Sequence, residues 1–154
     1  MKNIEHTAYE TNPVESPEDA IRAFVEAYDV LQSVLAECDD GDLTEFSDEL
    51  RTAMYRPVHP EGFDRPPISL YEIGVVYFAA NEGLGRYDIN SRKLGAALKR
   101  READVRALFV QQDGILPHLC EILPQFLEAH RHEFVYTATL RFLNECRRLQ
   151  AMWA

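Results

Sequence analysis

Hydrophobic positions recur at intervals of three and four residues along most of the chain, which is the spacing of one buried helical face. The clearest example opens at "SPED", where Ser16 is in place to cap a helix and Pro17 suits its first turn. A second, shorter helix is predicted from Asp42 to Met54, after "CDDGD" ends the first. The apolar face of the first predicted helix consists of Ile21, Phe24, Val25, Tyr28, Leu31 and Leu35.

Two central segments are also predicted to be helical. Ser69 and Glu72 have the spacing of a capping box, and "LYEIGVVYFAANEG" behind it is apolar on nearly every side, which favours a buried central helix. "VVYF" alone suits a strand, but the sequence shows no evident partner strand. Residues 91–109 follow, with Asn90 or Ser91 as the cap. Because apolar residues keep helical spacing across 91–109, a single amphipathic helix is favoured there.

The end of the chain, residues 115–153, keeps helical spacing without a glycine. One long helix kinked near Pro124 is favoured over two helices separated by a turn at "HRHE". The proline-rich segment 55–67 cannot form regular structure and is long for a connection, which favours a mobile or functional loop. The sequence therefore predicts an all-α fold, with an irregular N-terminal segment over 1–15 and a single compact domain of five or six helices over 16–154.

Charge changes this picture by dividing the chain into an acidic and a basic part. The 154 residues include 26 Asp and Glu against 16 Lys and Arg, a formal net charge of −10. Residues 1–64 hold 16 carboxylates against four cations, while seven cations lie between Arg86 and Arg106. Net acidity disfavours attraction to nucleic-acid phosphates and favours a basic partner. The basic stretch is expected to lie beside the acidic half of its own chain or of a second copy, which leaves a homodimer open.

Composition and motifs narrow the function classes further. No apolar run reaches 18 residues and no apolar signal region is present near the N-terminus, so a cytoplasmic protein without a membrane span is expected. Three cysteines without a C-x-x-C pair are expected to be reduced thiols. No G-x-S-x-G, phosphate-binding loop or H-E-x-x-H motif is present. We therefore predict no enzymatic activity, no catalytic residue and no cofactor.

A dense acidic cluster in "ECDDGDLTEFSDEL", residues 37–50, is the main candidate for function. Such a cluster suits a surface that imitates phosphates or fills a basic groove, and it also suits a surface that only aids solubility. Aromatic and arginine side chains on the adjoining loop would anchor a partner, because these residue types supply many interface hot spots. The predicted partner-binding residues are Asp39, Asp40, Asp42, Glu45, Asp48, Glu49, Tyr55, Arg56, His59 and Phe63.

The favoured function is a non-enzymatic module that binds the basic surface of a partner protein. Inhibitors, immunity proteins and nucleic-acid mimics that act on nucleic-acid enzymes work in this way, since complementary charge speeds and directs association. A DNA-binding regulator is the first alternative, with 91–109 as a helix-turn-helix and its turn at Arg100 and Arg101. Glu102 and Asp104 argue against it because they would repel phosphates. Its DNA-binding residues would be Arg92, Lys93, Lys99, Arg100, Arg101 and Arg106.

A metal-dependent helical enzyme is the second alternative. One helical stripe carries His118, Glu121, Gln125, Glu128 and His132 at spacings of three and four. Helical di-metal sites take His and Glu ligands from several facing helices, and no second segment supplies a matching set. A solvated polar face is therefore favoured and no metal is expected. The alternative metal ligands are His118, Glu121, Glu128 and His132.

Overall fold

A computed structural model describes residues 15–38, 41–61, 64–79, 85–131 and 134–153. Within these ranges the chain forms six α-helices and one two-stranded sheet, so the predicted helical fold with a long C-terminal helix is confirmed. The strands are β1 (Val75–Phe78) and β2 (Arg86–Ile89). The helices are α1 (Pro17–Ala36), α2 (Gly41–Tyr55), α3 (Ser91–Arg100), α4 (Glu102–Val110), α5 (Ile115–Ala129) and α6 (Val135–Met152).

The core is built where α1 packs along α6, the most extensive contact between two helices in the described part of the chain. Phe24 of α1 stacks on Phe142 of α6 with ring centroids 5.3 Å apart, and it meets Phe109 of α4 edge-on at 5.8 Å. All three rings are fully buried. Buried aromatic pairs of this kind add to the burial of apolar surface, so these helices are stabilised chiefly by one another. None of the described helices is both long and apolar enough to cross a membrane.

Two of the helix starts predicted from local sequence are confirmed. Ser16 Oγ accepts a hydrogen bond from the backbone N–H of Asp19 at 3.1 Å, which caps α1. Asn90 Oδ1 accepts one from the N–H of Lys93 at 3.0 Å, which caps α3. Each bond satisfies a donor that the first turn of a helix leaves without a partner.

The central helix predicted after Ser69 is wrong. Only the Glu72 half of the capping box is present: Glu72 Oε1 accepts hydrogen bonds from Ser69 N at 2.7 Å and from Ser69 Oγ at 2.6 Å, but the Ser69 side chain accepts none from the turn. This partial capping box opens only one turn of 3-10 helix, Tyr71–Ile73, because Gly74 follows with a left-handed φ of 92°. Glycine adopts this conformation without steric cost, and it commonly ends helices. The apolar run "VVYF" then becomes β1.

The partner strand that the sequence did not reveal is "RYDI", which forms β2. β1 and β2 are antiparallel, with Val75 opposite Ile89 and Tyr77 opposite Tyr87. The strand is four residues long and carries two charges, so it lacks the apolar run typical of a strand. Tyr87 is its buried residue and packs edge-on against Tyr28 of α1, with centroids 5.6 Å apart. The sheet thereby covers one side of the helical core.

The single helix predicted over 91–109 is also wrong, because the chain breaks between α3 and α4 at Arg101. This residue has φ −132° and ψ 38°, outside the helical region. In a continuous helix Arg101 would share a face with Ala97 and Val105, both of which are buried. The break keeps the guanidinium at the surface while both apolar faces reach the core.

The C-terminal region forms two helices, so the favoured interpretation of one kinked helix over 115–153 is wrong. α5 runs through Pro124 and ends at Ala129, and α6 begins at Val135. The break lies at "HRHE", the alternative position in the sequence. This short connection brings α6 back against α5, so the apolar residues of both helices are buried in one core. The predicted irregular segment 1–15 lies outside the described residues except for Glu15.

Candidate functional site

An open groove of about 690 Å³ separates α2 from α5. Four of its lining residues are carboxylates that the sequence predicts to bind a partner. Two others, on α5, belong to the polar stripe considered above as a metal site. The sequence therefore identified both walls of the groove but did not bring them together. The lining consists of Asp42, Glu45, Phe46, Asp48, Glu49, Thr52, His118, Ile122, Gln125 and Phe126.

The α2 wall is acidic because of how the residues are spaced along this helix. Asp42, Glu45 and Glu49 recur at intervals of three and four, so they share one face and are exposed. Leu50 and Met54 are fully buried on the face that meets the core. Packing of the apolar face thus directs the carboxylates into the groove.

The α5 wall and the floor are less polar. His118, Ile122 and Gln125 follow one another at intervals of four and three along α5, and His118 and Ile122 are half-buried. Phe46 of α2 and Phe126 of α5 are buried and stack face to face, with centroids 3.7 Å apart and planes 3° apart. This pair lines the groove and also holds its two walls together. A ligand would therefore meet charge on one side and apolar surface beneath.

The groove keeps a negative charge that the fold does not neutralise. Glu45 and Glu49 form no ion pair with any residue in the described ranges. Asp48 pairs with Arg51 three residues later, and both side chains are largely exposed. No Lys or Arg from the described part of the chain lines the groove. A concave surface of one charge sign concentrates the field, so cationic groups are attracted here.

The loop residues predicted as anchors lie apart from the groove. Tyr55 is 68% exposed, and Arg56 and His59 are exposed as well, but none of the three lines it. The acidic cluster and the loop therefore do not form one continuous site in the described residues. The remaining predicted anchors and carboxylates lie outside the described residues; they are Asp39, Asp40 and Phe63.

The proline-rich segment predicted as a mobile or functional loop is tied to the helical core. Val58 and Ile68 exchange two backbone hydrogen bonds of 2.8 Å each. Gln111, just after α4, donates from Nε2 to the carbonyl of His59 at 2.7 Å and accepts at Oε1 from the N–H of Glu61 at 3.0 Å. These bonds place the described part of the segment in a defined position on the core.

Several cations of the basic stretch are engaged within the molecule. Arg101 Nε donates to the buried carboxylate of Asp104 at 3.2 Å, and Arg65 of the proline-rich segment pairs with the same carboxylate. Arg106 donates to the backbone carbonyl of Trp153 at 3.1 Å. A buried carboxylate needs such partners, so these arginines stabilise the fold.

Apart from Arg101, the cations predicted to bind DNA are exposed. Lys93 Nζ lies 5.2 Å from the ring centroid of Tyr71. Arg92, Lys99 and Arg100 are exposed and make no ion pair with the residues that the structure describes. The chain break falls where the DNA-binding alternative requires its turn, but the second helix begins with Glu102 in its first turn. Phosphates next to this turn would be repelled, which disfavours the DNA-binding alternative.

The polar stripe of α5 does not gather into a metal site within the described residues. Glu121 and Glu128 are exposed, and Glu128 pairs with Arg131 at 2.6 Å. His118 faces the groove, and His132 lies outside the described residues. No three His, Cys, Asp or Glu side chains in the described ranges lie close enough together to hold a metal ion.

Comparisons of the chain with protein-family models, curated protein sequences and solved structures found no match. The geometry and charge of the groove between α2 and α5 are therefore the main indication of function. This groove contains four of the residues predicted from the acidic cluster. Sequence reasoning missed the contribution of α5, although the spacing of His118, Ile122 and Gln125 already placed them on one helical face.

Proposed function

We propose that the groove between α2 and α5 docks a basic, amphipathic segment of a partner protein. The observation that supports this proposal is that carboxylates without an ion pair lie beside an apolar floor in the same groove. Glu45 and Glu49 supply charge without an ion pair in the described part of the chain, and the Phe46–Phe126 stack supplies the floor. A segment with Lys or Arg on its flanks and apolar side chains between them would contact both surfaces.

Such a groove suits a protein partner better than a nucleic acid. Phosphates would be repelled by the four carboxylates on α2, and the groove offers them no Lys or Arg among the described residues. Basic protein surfaces that bind nucleic acids carry the complementary charge. By occupying such a surface, this chain would compete with nucleic acid for it. Inhibitors, immunity proteins and nucleic-acid mimics act in this way. Electrostatic attraction acts chiefly on the rate of association.

A peptide titration tests the proposal. The probe is a synthetic helical peptide with arginine on one face and leucine on the other. The test variant combines Glu45→Gln, Asp48→Asn and Glu49→Gln, which removes three charges from the groove. We expect it to weaken peptide binding by about tenfold, mainly through slower association, because the lost interactions are electrostatic. Surface plasmon resonance at low and high salt gives the affinity and both rates.

A matched control separates the groove from net charge. Glu26→Gln, Asp88→Asn and Glu102→Gln together remove the same number of charges from exposed positions that do not line the groove. This control should retain affinity within about twofold, because its carboxylates lie away from the docked segment. Equal losses in the two variants would show that only net charge attracts the peptide, and the docking site would be refuted. Unchanged binding in both would refute it as well.

A further inference from the structure

A second pocket, of about 400 Å³, lies where the end of α2 meets the 3-10 turn and the sheet. We call it the tyrosine pocket. In the described part of the chain, it shares no lining residue with the groove between α2 and α5. Its volume is within the range of small-molecule sites in proteins. The lining consists of Met54, Tyr55, Ser69, Leu70, Tyr71, Glu72, Val75, Val76, Tyr77 and Tyr87.

Four tyrosine rings form much of this lining. Tyr55 and Tyr71 are 68% and 63% exposed, so they are the solvent-facing part of the pocket. Tyr87 is buried, and its ring meets that of Tyr77 edge-on with centroids 5.2 Å apart. The rings come from four different elements: Tyr55 ends α2, Tyr71 begins the 3-10 turn, and the other two lie on β1 and β2. The fold therefore gathers aromatic surface that the sequence distributes over more than thirty residues.

Among the described residues, Glu72 is the one lining residue of the tyrosine pocket with a formal charge. Its Oε1 accepts both hydrogen bonds from Ser69, while its Oε2 makes no hydrogen bond to any residue in the described ranges. Burial raises the pKa of Tyr87 well above its usual value, so its phenol stays neutral at physiological pH. Among the described residues, the pocket therefore combines aromatic rings with one carboxylate, whose Oε2 is available to a ligand.

A cation already contacts one of these rings from outside the pocket. Lys93 Nζ lies 5.2 Å from the centroid of the Tyr71 ring, within the distance at which a ring attracts a positive charge. The negative face of an aromatic ring provides this attraction, and a neighbouring carboxylate strengthens it. The whole chain is acidic, so its long-range field also favours cations over anions.

We propose that the tyrosine pocket binds an organic cation, an alkylated ammonium group held among the tyrosine rings with Glu72 as its counter-ion. The group belongs either to a free small molecule or to a side chain of a protein. The proposal does not depend on the docking groove, because the two sites have separate lining residues. Failure of either one leaves the other to be judged on its own experiment.

Matched ligands test the charge requirement. Choline and 3,3-dimethylbutanol have the same shape, but only choline carries a positive charge. Isothermal titration of the purified protein should show choline binding at least about fivefold more tightly than the neutral alcohol. A trimethyllysine blocked at both ends is the second cationic probe. Tighter binding of blocked trimethyllysine than of choline would indicate that the natural ligand is a protein side chain. Tighter binding of choline would indicate a free small molecule. Equal binding of choline and the alcohol would overturn the proposal.

Two variants locate the cation in the tyrosine pocket. Glu72→Gln removes the charge while the amide oxygen can still accept from Ser69, so the fold should be retained and choline binding should weaken by about three- to tenfold. Tyr71→Leu removes an exposed ring and should weaken it by about two- to fivefold. Phe78→Leu is the control, since Phe78 is 55% exposed and does not line the pocket. Unchanged choline affinity in Glu72→Gln would refute the site.

Discussion

At the residue scale, Asp29 has the clearest pH-dependent role. It lies half-buried on α1, and both of its carboxylate oxygens accept from the backbone N–H of Tyr87, at 3.3 and 3.2 Å. Burial raises the pKa of Asp29 to about 6, against the opposing effect of the Tyr87 hydrogen bond. Ionisation of Asp29 is therefore less favourable in the folded protein than in the unfolded chain, which costs stability at neutral pH.

Asp29→Asn should stabilise the protein at neutral pH. The folded-state pKa of Asp29 is raised above its usual value, so the folded protein holds a proton that the unfolded chain has released between about pH 4 and pH 6. The contribution of Asp29 to the unfolding free energy is therefore largest below about pH 4 and is lost as the pH rises through about 6. The variant keeps an acceptor without a charge, so we expect a gain of about 1 kcal/mol at pH 7 after solvent screening.

Urea unfolding of both proteins from pH 4 to pH 7 measures this effect. The difference in unfolding free energy between Asp29→Asn and the unmodified protein should increase as pH rises to 6 and then level off. A difference that stays constant across this range would show that Asp29 titrates normally.

Local sequence predicts some residue roles and not others. Ser16 and Asn90 cap helices through bonds to the third residue after each, so the signal is contained in a few neighbouring letters. Asp104 and Gln111 bond to the proline-rich segment, tens of residues earlier in the chain. Their roles depend on the fold, and no local pattern indicates them.

At the element scale, the sheet depends on Gly74, whose effect on the backbone the hydrophobic periodicity does not indicate. Gly74 has a left-handed φ of 92°, and a Cβ at this position would lie 2.9 Å from Lys93 Cβ and 3.1 Å from the Asn90 carbonyl oxygen. Glu72 bonds back to Ser69 as in a capping box, but the helix predicted there stops after one turn. Two competing local signals were therefore present, and the backbone requirement of Gly74 outweighed the cap.

Gly74→Ala should lower the unfolding free energy by about 1–3 kcal/mol, because the new methyl group meets a positive φ and two close neighbours. Gly95→Ala is the matched control. Gly95 lies inside α3, where a Cβ would meet only Glu18 Oε1 at 3.9 Å, so alanine should raise stability by about 0.5–1 kcal/mol. Thermal unfolding of the two variants tests the contrast. Similar effects from both substitutions would contradict the account of the turn.

Repulsion along α2 gives a prediction for the acidic wall. Glu45 and Glu49 are four residues apart on one helix, and like charges at this spacing destabilise a helix by about 0.2–0.5 kcal/mol. Glu49→Gln should therefore leave the fold intact and raise the unfolding free energy by about this amount. Chemical denaturation at low salt, where screening is weakest, provides the measurement. A loss of stability would mean that Glu49 contributes to the fold rather than to the groove.

At the scale of the whole molecule, the two charged parts of the chain are in contact at one end. α3 packs on α1, and Arg22 of α1 donates to Ser91 Oγ at 2.7 Å. The expectation that the basic stretch lies beside the acidic half is met for α1. The acidic helix α2 instead packs on α1 and α5, which leaves its carboxylates facing the groove.

Duplex DNA should bind negligibly even at low ionic strength. Each phosphate that a protein neutralises contributes about −0.9 to the slope of log affinity against log salt concentration. Specific or nonspecific DNA binding would therefore show an affinity that falls steeply as salt is added. Fluorescence anisotropy over a range of salt concentrations checks this. Measurable, salt-sensitive binding that is lost in Arg100→Glu would favour the DNA-binding function instead.

The sequence indicated the charge of the site but not its shape. Acidic residues at helical spacing are visible in a linear sequence, and so is the polar stripe on α5. Their meeting across a groove depends on Phe46 and Phe126, which are eighty residues apart in the chain. Long-range contacts of this kind have no local signature, so the two halves of the site were assigned different functions.

The most direct test of the docking groove is a residue-resolved map of peptide binding. Titration of the arginine–leucine peptide into isotope-labelled protein should shift the backbone NMR signals of Glu45, Glu49, Ile122 and Gln125 most strongly. Gln125→Arg, which adds a cation to the α5 wall, should abolish these shifts. Glu128→Gln changes net charge equally outside the groove and should preserve them. Shifts centred on α3 and α4, or equal behaviour of the two variants, would contradict the account.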